Sequence, residues 1–122
     1  MTALLALIRK YWISITLFIL TMITILSLRP LQTLPVVPGS DKTHHFIAYA
    51  TLMFPTALRK PKHWQIIVLL FIGWSGAIEL IQPYVNRYGE LQDLAANIIG
   101  LVCGFLLVQI VNWLFLVNSN QK

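Results

Sequence analysis

Charge is what this chain has least of. Only 11% of its residues are Asp, Glu, Lys or Arg, against roughly 25% in soluble domains, while 57% are hydrophobic. Nine bases and four acids over 122 residues cannot clothe a water-exposed surface, so a water-soluble globule is excluded. Cysteine is nearly absent too: Cys103 stands alone, which rules out an internal disulfide and any CxxC metal or redox motif. It lies in an apolar stretch, where a buried, inert thiol is the expectation. Also missing are a P-loop, a GxGxxG turn, an HExxH pair and any Ser-His-Asp order, so nucleotide and nucleophilic-hydrolase readings lose their basis. There is no internal repeat, no low-complexity tract and no sign of a second domain; a single unit over 1–122 is expected.

What is present is long apolar runs, with a mean hydropathy of +0.74. Residues 11–28 form an uncharged stretch that reaches about 27 Å as a helix, close to a hydrocarbon core. Arg29-Pro30 stops it, and the proline-rich segment 31–40 reads as an extended linker. Ser40 and Asp41 then offer an N-cap and a first-turn carboxylate for a shorter, partly polar helix at 41–58 that contains Pro55. Further spans are expected at 64–82, ended by Pro83, and at 91–117. The fold class this implies is all-α, a four-helix transmembrane bundle in the cytoplasmic (inner) membrane.

The bases orient it. With the N-terminus cytoplasmic, Arg9, Lys10, Arg59, Lys60, Lys62 and Lys122 lie inside and only Arg29, Lys42 and Arg87 outside, so the positive-inside rule favours N-in/C-in. Trp12, Trp64 and Trp113 then fall at inner ends and Tyr84 and Tyr88 at the outer one, where interfacial aromatics belong. The surplus of bases is thereby explained by topology, and nucleic acid is not expected as a partner.

All four acids (Asp41, Glu79, Glu90 and Asp93) fall on or near the outer side, with His44, His45 and Gln82. Helical spacing groups them: Asp41, His45 and Tyr49 share one face, Ser75, Gly76, Glu79 and Gln82 another, and Asp93, Asn97, Gly100 and Gly104 a third. Gly100 with Gly104, and Gly73 with Ala77, are pairs of small residues that allow close backbone approach. Ionisable groups at membrane depth are costly and point to function. Glu79, which must pair or be protonated, is the leading candidate, with Lys42 and Arg87 as its expected partners.

The run DKTHHFIAY at 41–49, Glu79 with Gln82, Arg87, and LQDLAANIIG at 91–100 carry a resemblance. Together they resemble the VanZ-like family of small membrane proteins, whose pattern Asp41, Lys42, His45, Phe46, Tyr49, Glu79, Gln82, Arg87, Asp93, Asn97 and Gly100 each match. The resemblance covers most of the chain. It implies a multi-pass bacterial membrane protein, with a best-known relative that lowers sensitivity to teicoplanin and a biochemical activity generally unassigned.

Three readings of the polar residues follow. In the first, Asp41, Lys42, His45, Tyr49, Glu79, Gln82, Arg87, Asp93 and Asn97 line an outward-facing pocket. It binds a membrane lipid or a lipid-linked, glycosylated or peptidoglycan-related amphiphile, with a link to glycopeptide tolerance. In the second, Glu79, His45 or Asp93 supplies acid/base catalysis on such a molecule. In the third, the cluster only locks the helices together. A metal held by His45, Glu79 and Asp93 lacks support from local spacing, and no cofactor is expected. Oligomeric state is not legible.

Overall fold

The computed structural model describes residues 2–29, 41–85 and 91–120, apart from the side chains of Thr2, Asp41, Val85 and residues 116–120. Five α-helices follow one another: α1 Thr2–Lys10, α2 Trp12–Ser27, α3 Asp41–Arg59, α4 Trp64–Ile81 and α5 Leu91–Asn120. A 3-10 turn, Gln82–Val85, follows α4, as expected of a segment interrupted by Pro83. Strands are absent among the described residues, so the all-α expectation holds. The linker 31–40, including the Ser40 cap, and the loop with Arg87, Tyr88 and Glu90 lie outside the described residues.

Helix α3 is the axis of the molecule. It carries Tyr49, Leu52, Met53, Ala57 and Leu58, half of the buried hydrophobic residues, and packs most extensively on α5 and then on α2. It is also the helix with the most polar face, and the two facts belong together. In lipid, polar side chains turn inward and apolar ones outward, so the least apolar helix goes to the middle. The outer helices show the converse: Phe18, Leu69 and Leu70 are each 66% exposed and Leu80 78%. An apolar exterior of this extent around a core containing His45, Asp93, Asn97 and Gln82 inverts the pattern of a soluble protein.

The contact between α3 and α5 is backbone to backbone. A methyl group added at Gly100 would overlap the Phe46 carbonyl oxygen, and one at Gly104 would stand 2.5 Å from the Ala50 carbonyl oxygen. These two glycines therefore perform the close approach that their spacing predicts. The pair at Gly73 and Ala77 does not: nothing lies within 4 Å of a methyl built on Gly73, and Ala77 is exposed. That expectation is corrected, because small residues permit an approach but do not supply the neighbour.

Two helical segments, Trp64–Tyr84 and Leu91–Phe115, are long and apolar enough to cross a membrane. A third span exists if Ala3–Lys10 and Trp12–Ser27, bent by 77° at Tyr11, count as one. Helix α2 alone has 16 residues, about 24 Å, which falls short of a 30 Å core. Four helices occur close to where four spans were expected, but α3 lacks the apolarity of a lipid-facing span and α1 is an element the sequence did not announce. Trp74 Nε1 donates to Thr24 Oγ1 at 2.9 Å and fastens α4 to α2, while Trp64 stacks on Phe105 at 4.8 Å and fastens α4 to α5.

Candidate functional site

Antiparallel connections bring the start of α3, the end of α4 and the start of α5 to one end of the molecule. Each helix turns one polar stripe inward there. On α3 the buried residues His45, Tyr49, Leu52 and Thr56 recur at spacings of four and three; on α5 Asp93, Asn97, Gly100 and Gly104 do the same. Helix α4 contributes Ser75 and Glu79 and the 3-10 turn after it Gln82; Ser75 and Gln82 are fully buried and Glu79 is half-buried.

These groups form a connected chain. His45 Nδ1 lies 2.9 Å from Asn97 Oδ1, and Asn97 Nδ2 donates to Ser75 Oγ. With the amide oxygen toward the ring, this contact is a hydrogen bond in the tautomer that carries its proton on Nδ1. Its other nitrogen, Nε2, faces the Asp93 carboxylate, with Oδ2 at 3.9 Å. On the solvent side Lys42 Nζ stands 4.0 Å from Asp93 Oδ1, with Asp93 buried and Lys42 about half exposed. The Tyr49 hydroxyl is within hydrogen-bonding reach of Ser75, and Glu79 is near enough to interact with it.

Helix dipoles treat the two carboxylates oppositely. Asp93 lies in the first turn of α5, where the partial positive charge of the amides favours an anion. Glu79 lies in the last turn of α4, where the exposed carbonyls disfavour one. Two carboxylates beside a histidine, one of them against its own dipole, form an electrostatic basin that attracts protons or cations.

The structure brings together Lys42, His45, Tyr49, Glu79, Asp93 and Asn97 from the residues singled out by sequence. Gln82 performs a different job as well: its Nε2 donates to the Ser27 carbonyl at 3.1 Å and ties the end of α4 to α2. Its Oε1 is buried and accepts no hydrogen bond among the described residues. Arg87 and the Asp41 side chain lie outside the described residues. Ser75 was not among the expected site residues, although its position one turn before Glu79 on the same stripe was a sufficient signal.

The VanZ/LLP1 family model matches residues 2–112, nearly the whole chain. The chain belongs to the VanZ-like family. No curated protein and no solved structure matches it at a significant level. The polar residues of all three helices fall within the matched VanZ-like region, as do the glycines that bring α3 against α5.

Proposed function

We propose that this VanZ-like protein is a multi-pass protein of the inner membrane, oriented N-in/C-in, that engages the polar headgroup of an envelope amphiphile from the outer side. The amphiphile is a lipid, a glycolipid or a peptidoglycan-related lipid. The observation that carries this reading is the convergence of His45, Glu79 and Asp93 at one end of helices whose outer faces are apolar. A lock between helices needs hydrogen bonds such as that from Asn97 to Ser75; it gains nothing from adjacent carboxylates, which repel and lose hydration. Lys42 at the rim, and Arg87 in the neighbouring loop, supply cationic contacts to a phosphate, while the carboxylates accept from sugar hydroxyls.

The placement of His45 between Asn97 and Asp93 favours a second reading, acid/base catalysis on the bound headgroup. With Nδ1 committed to Asn97, Nε2 is the nitrogen that exchanges protons, and Asp93 is positioned to orient and stabilise the imidazolium. One experiment separates the readings. Envelope lipids are compared in cells carrying wild type or Glu79→Gln at matched abundance, and the lipids co-purifying with each protein are measured by native mass spectrometry. Binding predicts a co-purifying amphiphile that Glu79→Gln loses while cellular lipid composition is unchanged. Catalysis predicts a lipid species present only with wild type. Identical lipids in both measurements refute both readings, and a parallel teicoplanin susceptibility assay tests the link to tolerance.

A further inference from the structure

The polar cluster gathers ligand atoms as well as charges. His45 on α3, Glu79 on α4 and Asp93 on α5 each present one metal-ligating atom, and the three atoms lie within 4.8 Å of one another. A tetrahedral ion 2.0–2.2 Å from each ligand holds them about 3.4 Å apart, so the widest pair needs to close by about 1.4 Å. Side-chain torsions of Glu79, which is only half-buried, cover that range. His45 Nε2 and Asp93 Oδ2, at 3.9 Å, are already near the required separation.

The surroundings of His45 match those of a metal ligand. Its Nδ1 lies 2.9 Å from Asn97 Oδ1, and Asn97 also contacts Ser75; an outer hydrogen bond of this kind is how ligating imidazoles are usually oriented. In the ring protonated on Nδ1 alone, the Nε2 lone pair points toward carboxylate oxygen. That arrangement is repulsive until a proton or a metal ion sits between the atoms. Lys42, about half exposed, stands 4.0 Å from Asp93 Oδ1, whereas His45 Nε2 faces the other oxygen, Oδ2.

We propose that His45 Nε2, Glu79 and Asp93 bind one divalent transition-metal ion, of the Zn²⁺ or Mn²⁺ type, leaving open positions for water or a headgroup oxygen. One imidazole and two carboxylates suit such an ion better than Mg²⁺ or Ca²⁺, which take oxygen ligands alone. The ion resolves an electrostatic difficulty: it turns an anionic cluster into one that accepts a phosphate. Local spacing could not reveal the set, because its three members come from three helices. The use of the ion rests on the headgroup reading, but its binding does not.

The test therefore uses no lipid. The full chain, purified in detergent and stripped with a chelator, is titrated separately with Zn²⁺, Mn²⁺, Mg²⁺ and Ca²⁺ by calorimetry, and with Co²⁺ by visible absorption. One saturable equivalent of Zn²⁺ or Mn²⁺ is expected, with a Co²⁺ spectrum of a low-symmetry site. Affinity falls at least tenfold in Glu79→Gln and in His45→Gln, and is unchanged in His44→Gln and His63→Gln. Helical circular dichroism and monodisperse elution show that each variant is folded. The proposal is overturned if wild type binds no ion saturably, if Mg²⁺ or Ca²⁺ binds more tightly than Zn²⁺ or Mn²⁺, or if the His44 and His63 variants remove the signal. Should a ligand variant not fold, the Co²⁺ spectrum and stoichiometry of wild type still decide. An ion bound without any co-purifying amphiphile sustains this inference and defeats the headgroup reading; the reverse result does the opposite.

Discussion

Replacing Gly104 by Ala tests the packing on which the site depends. Two effects compete. Alanine is the better helix former by about 1 kcal/mol, which favours the variant. Against this, the new methyl stands 2.5 Å from the Ala50 carbonyl oxygen and 3.1 Å from both the Ala50 Cα and the Met53 Cβ. Ordinary contact begins near 3.4 Å, so α3 must retreat by about 0.9 Å, and because the obstacle is backbone no rotamer change can relieve it. Overpacking of this kind costs about 1–3 kcal/mol. Gly73→Ala is the control, since nothing lies within 4 Å of its added methyl and only the propensity gain remains. Reversible unfolding in mixed micelles of mild detergent and dodecyl sulfate, followed by circular dichroism, should place Gly104→Ala about 1–3 kcal/mol below Gly73→Ala. Equal stabilities, within about 0.5 kcal/mol, would refute the close approach of α3 and α5.

Asn97→Ala should cost about 1–3 kcal/mol in the same assay, because it strands the buried His45 Nδ1 and removes the partner of Ser75 Oγ; a change under about 0.5 kcal/mol would count against the network. Lys60 holds a left-handed φ of 47°, so Lys60→Gly should raise stability by about 1 kcal/mol, and a loss would contradict the strain argument. For orientation, single cysteines replacing Tyr88 and Pro61 are introduced into a Cys103→Ser background. An impermeant thiol reagent added to intact cells should label the first and not the second, and the opposite pattern would reverse the orientation.

Helices were legible where apolar length and a breaker coincide, as at Pro83 and at Arg29-Pro30. The convergence of His45, Glu79, Asp93 and Asn97 was legible for a topological reason. Antiparallel helices with short connections put the start of 41–58, the end of 64–82 and the start of 91–117 at one end, and inward stripes then meet. Helix α1 was not legible. Its nine residues end in Arg9-Lys10, too short and too charged for a span, and the bend at Tyr11 follows no glycine or proline. Gly73 and Gly104 mark the limit most clearly, because both belong to small-residue pairs in apolar helices and only one of them touches a neighbour.

The difference between those glycines also explains why α3 is central although it is the least apolar of the expected spans. Gly104 shares its stripe with Asn97 and Asp93, whereas Gly73 lies off the stripe formed by Ser75, Glu79 and Gln82. A small residue on the polar stripe is drawn against α3 because burying His45, Asn97 and Asp93 requires that contact; a small residue off the stripe has only lipid to face. In this fold the polar residues choose which surfaces meet, and the glycines set how near they come. Enlarging Gly100 should therefore disturb the His45 to Asn97 bond as well as stability. Its methyl would overlap the Phe46 carbonyl, in the turn that carries His45, one turn from Asn97. In Gly100→Ala the histidine Nδ1 resonance, read by nitrogen-15 NMR, should move toward that of an exchanging imidazole, while the same substitution at Gly73 leaves it in place. An unchanged resonance in both would mean that the network does not depend on the approach of the two helices.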